Sequence, residues 1–175
     1  MRNILFCLVW VLCACKKNDL KQVENITSKT VPAERSTDVE AIYSDSAEVK
    51  ARMMAPVMIR YLGDNPTVEM KKGLKVEFYS DSLTINSSLK SDYAIRYVNK
   101  GITKLTGNVV VVNIQGDTLN TEELYWDEPK ERVYSEKFVK VKTRDKIFLA
   151  EGFESNVEFT KYTFYKLKGI ITVKE

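Results

Sequence analysis

Histidine is missing from this chain of 175 residues. Its absence removes imidazole as a general base, as a metal ligand, and as the partner that activates Ser or Cys for nucleophilic attack. Cysteine is scarce as well. The three present (Cys7, Cys13 and Cys15) all precede residue 16, so the rest of the chain cannot build a zinc site from Cys. An excess of one charge sign is also lacking. Lys and Arg number 27 against 24 Asp and Glu, a formal charge of +3, and a nucleic-acid binder would cluster its basic residues. There is no Gly-rich phosphate loop or Walker pattern. After residue 38 no amphipathic helix of ten or more residues can be traced. Neither a cofactor, a metal nor a nucleic-acid partner is expected, and an enzyme is disfavoured. What is present is 44% hydrophobic and 29% charged, a globular composition of a length that supports one domain.

The chain opens on Met1-Arg2-Asn3 and then runs from Ile4 to Leu12 without a charge. A short basic start before a brief apolar stretch has the shape of a secretory signal. A transmembrane helix needs about 20 apolar residues, and Lys16-Lys17 end this run early. A short core helix is the alternative. Leu12-Cys13-Ala14-Cys15 resembles a bacterial lipobox, with Leu three residues and a small residue one residue before the Cys that is lipidated. On that reading residues 1–14 are removed and Cys15 is the lipid anchor. Several acyl chains on one Cys hold firmly, at about 0.8 kcal/mol per buried methylene. Cys7 and Cys13 then leave with the signal, and Trp126 becomes the sole tryptophan.

From Cys15 to Asp38 the chain is polar, with only scattered Leu20, Val23, Ile26 and Val31. This stretch reads as a flexible tether, averaging roughly 25–30 Å as a coil. From Val39 the texture changes to short alternating runs of strand formers. Turn residues such as Ser44-Asp45-Ser46 and Gly63-Asp64-Asn65-Pro66 separate them. Pro56 should end or bulge its strand. Residues 39–175 therefore read as one all-β domain: a sandwich, jelly roll or barrel.

Taking alternate residues along the strongest runs gives one apolar face: Val109, Val111, Leu119, Leu124, Trp126, Val133, Val139 and Val141. Such a face either fills a closed core or lines a groove. The carboxylate pairs Glu122-Glu123 and Asp127-Glu128 sit on adjacent strand positions that point to opposite faces, which suits solvated residues better than a catalytic pair. Lys71-Lys72 and Lys140-Val141-Lys142 are either solvated or meet phosphates. Asp45-Ser46-Ala47, Asp81-Ser82-Leu83 and Asp117-Thr118-Leu119 are turn chemistry first of all. They are also similar to the O-glycosylation sequon of exported Bacteroidetes proteins, which makes Ser46, Ser82 and Thr118 candidate acceptors.

Two stretches go beyond pattern. Leu105-Thr106-Gly107-Asn108-Val109 continues through Gly116, Leu119, Thr121-Glu122 and Leu124 to Trp126-Asp127. Near the end, Ala150-Glu151-Gly152-Phe153-Glu154-Ser155-Asn156 precedes Phe159 and Gly169-Ile170-Ile171. With Ile42 to Ser46 and Gly73 to Phe78, these resemble the LptC family, the bridge component of the lipopolysaccharide export transporter. The resemblance covers about residues 39–173 and extends more loosely to OstA-like domains. Many members carry an N-terminal transmembrane helix where this chain has a lipobox.

The resemblance implies an open β-jelly-roll whose two sheets form a V-shaped groove around lipopolysaccharide acyl chains. The eight residues of the apolar face become groove candidates. It implies a lipid-anchored protein on the periplasmic face of the inner membrane, with the inner-membrane ABC transporter subunits and a periplasmic bridge protein of the same superfamily as partners. Ile170, Ile171, Thr172 and Val173 become a candidate edge for strand pairing, the alternative being an internal strand. Two other functions stay open: an envelope lipoprotein that binds lipid or protein on a related fold, and the disfavoured jelly-roll enzyme. The lipobox generates the first prediction. Cys15→Ser abolishes lipidation and releases the protein from the membrane fraction; unchanged membrane association with an uncleaved signal would refute the anchor.

Overall fold

A computed structural model describes residues 32–173. The signal, Cys15, the tether as far as residue 31 and the last two residues lie outside the described residues. A strand that alternates apolar and polar residues must bury one face against other strands. Eleven strands pair here into one sheet: β1 (Pro32–Asp45), β2 (Glu48–Tyr61), β3 (Thr67–Met70), β4 (Leu74–Tyr79), β5 (Ile85–Ser91), β6 (Tyr93–Tyr97), β7 (Ile102–Asn113), β8 (Thr118–Asp127), β9 (Arg132–Lys142), β10 (Lys146–Asn156) and β11 (Tyr162–Thr172). Two single 3-10 turns, Val98–Lys100 and Glu128–Lys130, join strands. The fold is an all-β jelly roll, and its layers belong to one antiparallel hydrogen-bonded sheet.

The sheet forks. One side of β2 pairs with β4 through residues 51–54 and with β3 through residues 58–61, while β1 covers its other side. One side of β7 likewise pairs with β6 and then with β5. Because β4 pairs with β5 and β3 with β6, the strands β2-β4-β5-β7-β6-β3 form a closed circuit. The strands β8 to β11 then continue from β7 as a simple meander. Pro56 neither ends nor interrupts β2. It stands where β2 exchanges β4 for β3, opposite Asp38 at φ 51, and no ladder uses it. A proline without an N–H fits such a gap.

The domain begins earlier than the composition suggests. β1 starts at Pro32, so residues 32–38 of the expected tether are a strand laid along Val57 and Ile59. The Asp45-Ser46-Ala47 turn is a two-residue hairpin with Ser46 and Ala47 both at positive φ, the geometry that matches the twist of paired strands.

A line of register shifts crosses the meander. It runs through 106/109 in β7, 121/125 in β8, 135/138 in β9, 151/153 in β10 and 167/169 in β11. A bulge bends its strand and raises the local twist, so this crease folds the sheet over its own apolar face. It also removes ladder bonds. Buried hydroxyls replace them: Thr121 donates to the Phe138 carbonyl at 2.9 Å, and Ser135 donates to the Glu123 carbonyl at 2.7 Å and accepts from the Lys137 N–H at 3.1 Å. Gly107 and Gly152, at φ +75 and +80, supply left-handed conformations on the same line. Gly152 has a second reason to lack a side chain, since a Cβ there would lie 2.9 Å from the Tyr165 ring.

The crease generates a prediction. Thr121→Val keeps the shape but takes the hydroxyl donor from the Phe138 carbonyl, and should lower the unfolding free energy by about 1 kcal/mol in a urea titration. Thr163→Val on the exposed face of β11 should change it by less than about 0.5 kcal/mol.

Candidate functional site in the interior and at the open edges

The eight residues of the expected apolar face do come together. Leu119 and Leu124 lie five positions apart, which would put them on opposite faces of a regular strand. The shift between Thr121 and Tyr125 turns both inward. Seven of the eight (Val109, Val111, Leu119, Leu124, Val133, Val139 and Val141) are buried core, and Trp126 is half-buried with its ring edge-on to Phe78 at 5.2 Å. As described here they are packed filling, the closed-core alternative. Lining a groove would require the layers to part.

The interior surfaces elsewhere, at the two strands that end the sheet. Residues directly opposite one another in a ladder share a face. On β11, Leu167 faces buried Ala150 and Ile170 faces Phe148, so both are inward, yet both are half exposed. On β1, Tyr43 faces buried Ala51 and is likewise inward and exposed. The apolar face thus runs from β1 to β11 and lies open at each rim.

The β11 rim is extended by an aromatic strip. Phe148 stacks on Phe164 at 5.4 Å, Phe164 contacts Phe153 at 5.8 Å, and Phe153 meets Phe159 and Tyr162 at 5.6 and 6.0 Å. Burial pushes the Tyr162 hydroxyl above its ordinary value. Sequence reading missed this strip, because Val157 to Tyr165 reads as one strand. Val157–Lys161 is in fact a loop that carries Phe159 into the core.

β11 pairs only with β10, and so the expected edge strand is an edge among the described residues. Its phase is readable. Val173 N–H donates to the Asp145 carbonyl at 2.8 Å. In an antiparallel ladder such pairs recur every second residue, so Ile171 and Gly169 also point their backbone groups at β10. Ile170 and Thr172 point theirs away, toward an absent neighbour.

The outward face is a lattice of charge and aromatic rings. Lys104 bonds Glu123 at 2.8 Å, and this holds the Glu123 carboxyl below its ordinary value. The Tyr125 and Tyr134 rings stack at 5.1 Å, and the Arg132 guanidinium lies 4.8 Å from the Tyr134 centroid. Arg132 reaches Glu154 at 2.6 Å and buried Asp127 at 3.4 Å. On the other arm Lys75 holds Glu77 below its ordinary value in the same way. Glu123 and Asp127 are therefore ion-paired rather than solvated, whereas Glu122, Lys72, Lys140 and Lys142 are exposed. Lys71 pairs with Glu69 at 3.1 Å. Of the candidate glycan acceptors, Ser46 and Ser82 stand on exposed turns and Thr118 is half-buried at the start of β8.

No family model matches the chain and no curated protein matches it, so the likeness to the LptC family rests on the residues quoted for it. The edge generates a prediction. Ile171→Pro removes an N–H from the β10–β11 ladder and should lower the melting temperature. Thr172→Pro removes an outward N–H and should leave the melt unchanged while weakening any partner that adds a strand. Equal melting losses for the two variants, measured by circular dichroism, would refute the assigned phase.

Proposed function

We propose that this protein is a non-enzymatic lipopolysaccharide transport component. It accepts lipopolysaccharide from an inner-membrane ABC transporter and passes it along its apolar sheet interior to a periplasmic bridge protein. The observation that carries the reading is the continuous apolar face of one bent sheet, open at both rims where Tyr43, Leu167 and Ile170 face inward yet remain exposed. Acyl chains cross water only if they are covered, since each exposed methylene costs about 0.8 kcal/mol. Apolar walls cover them, and the buried hydroxyls of the crease are already engaged by the sheet's own carbonyls. The rims are also backbone edges, which allows a neighbouring sheet to continue the same face by strand addition.

A second reading, an envelope module that binds protein rather than lipid, is favoured by the outward backbone groups of Ile170 and Thr172 alone.

Adjacent residues on opposite faces supply the test. Ile170 and Ile171 are 52% and 51% exposed, so accessibility does not distinguish them. Ile170 faces inward with Phe148, and Ile171 faces outward with Ile147. A photo-crosslinking residue at 170 should capture lipopolysaccharide in cells several-fold more than one at 171. Equal capture, or capture at 171 alone, would reject an inward lipid path. Protein adducts without lipid adducts at both would favour the second reading.

A further inference from the structure

The loop Val157–Lys161 between β10 and β11 differs from every other turn of the domain in one respect: it enters the core. Phe159 has no exposed surface and sits against Phe153 and Tyr162 at 5.6 and 5.5 Å. Its backbone has φ +55, a left-handed conformation that is a true outlier for a bulky residue. The loop organises itself around one side chain. Asn156 Oδ1 accepts from the backbone N–H groups of Thr160 and Lys161 at 3.0 and 2.9 Å.

Two long-range hydrogen bonds fasten the loop to the opposite layer. Ser87 on β5 donates its hydroxyl to the Val157 carbonyl at 2.7 Å. Asn113 at the end of β7 donates its amide to the Phe159 carbonyl at 3.1 Å. Both donors are buried. A buried hydroxyl or amide needs a partner, and here each one's long-range partner is a carbonyl of the loop. A left-handed backbone at a fully buried bulky residue stores strain, and such strain collects at ligand clamps and switch segments.

We propose that this loop is a plug that occupies a binding site for an acyl ester or amide. The loop imitates that ligand in its own chemistry: two carbonyl oxygens on fixed donors, with an apolar group continuing inward. When it withdraws, Ser87 and Asn113 present the same donors to the carbonyl of an acylated sugar. The hydrocarbon then enters the space left by Phe159. From there the inward face of β11 leads past Tyr162, Phe164 and Leu167 to Ile170, a track of about 25 Å. The donors set the carbonyl end and the exposed rim marks the far end. The plug keeps the carbonyl end of this track shut when no lipid is present, and apparent affinity scales with the fraction of molecules in the open form.

This inference rests on the lipid-transport reading, and the test separates the two. The probes are sucrose monolaurate, whose chain is joined through an ester carbonyl, and dodecyl maltoside, which has a chain of the same length and no carbonyl. Both are titrated below their micelle concentrations. Phe159→Ala should bind sucrose monolaurate at least about tenfold more tightly than the wild type and prefer it to dodecyl maltoside, and adding Ser87→Ala should erase the preference.

Amide hydrogen exchange on the wild-type protein needs no variant to fold. Sucrose monolaurate at saturation should speed exchange at residues 157–161 and leave the centres of β7 and β9 unchanged. Saturable binding with unaltered or slowed exchange at 157–161 would overturn the plug and leave lipid transport standing. Equal affinity for the two probes in Phe159→Ala would overturn the role given to Ser87 and Asn113. Failure of the wild type and the variant to bind either probe or lipopolysaccharide would overturn both proposals.

Discussion

A sheet of eleven antiparallel strands can bury one apolar face only by bending over it, and a bent ladder loses backbone hydrogen bonds. The crease across β7 to β11 is where this chain meets that constraint. Carbonyls freed by a register shift need donors, and the buried hydroxyls of Thr121 and Ser135 supply them from the inward face. Much else depends on the bend. It brings the β10–β11 loop onto Ser87 and Asn113, and it puts Leu119 and Leu124 on one side despite their odd spacing.

Seen against the bend, the most distinctive part of the sequence is structural first. In the stretch from Leu105 to Asp127, Gly107 and Asn108 take positive φ at the bulge of β7, and Asn108 donates to Asp92 at 2.6 Å. Thr121 serves the crease, Trp126 packs on Phe78, and Asp127 is buried against Arg132. None of these residues needs a ligand to explain its presence. The resemblance built on them therefore speaks to the shape of the sheet more directly than to what passes through it.

Strand β4 was legible to the residue, because Leu74, Val76 and Phe78 alternate cleanly with polar neighbours. The all-β class was legible for the same reason. Strand β5 was not: Asn86-Ser87-Ser88 contains no strand former, and it pairs because Ser87 and Ser91 are buried with hydroxyl partners on Val157 and Tyr93. The early start of β1 was hidden because a rim strand needs little apolar alternation, and Glu34, Arg35 and Thr37 are exposed on it. The interior was half legible. Period-two reading found the right residues, but burial is a property of layers in contact, and nothing in the order of residues says whether layers touch or gape. The aromatic loop escaped because Val157 and Phe159 alternate as a strand would, while Asn156 bends the backbone out of it.

The closed circuit of six strands bears on how the chain reaches this shape. The β8–β11 meander is made of hairpins between neighbours in sequence, which form within microseconds. The circuit instead needs β3 to find β6, with Thr67 opposite Tyr97, and β5 to find β7 across the intervening β6. Pairings of that separation carry the larger loop-closure entropy and slow a chain most. The rate of folding is thus set in the amino-terminal half, and the carboxy-terminal arm, with its loop and its open rim, assembles on a frame that is the slower of the two to close.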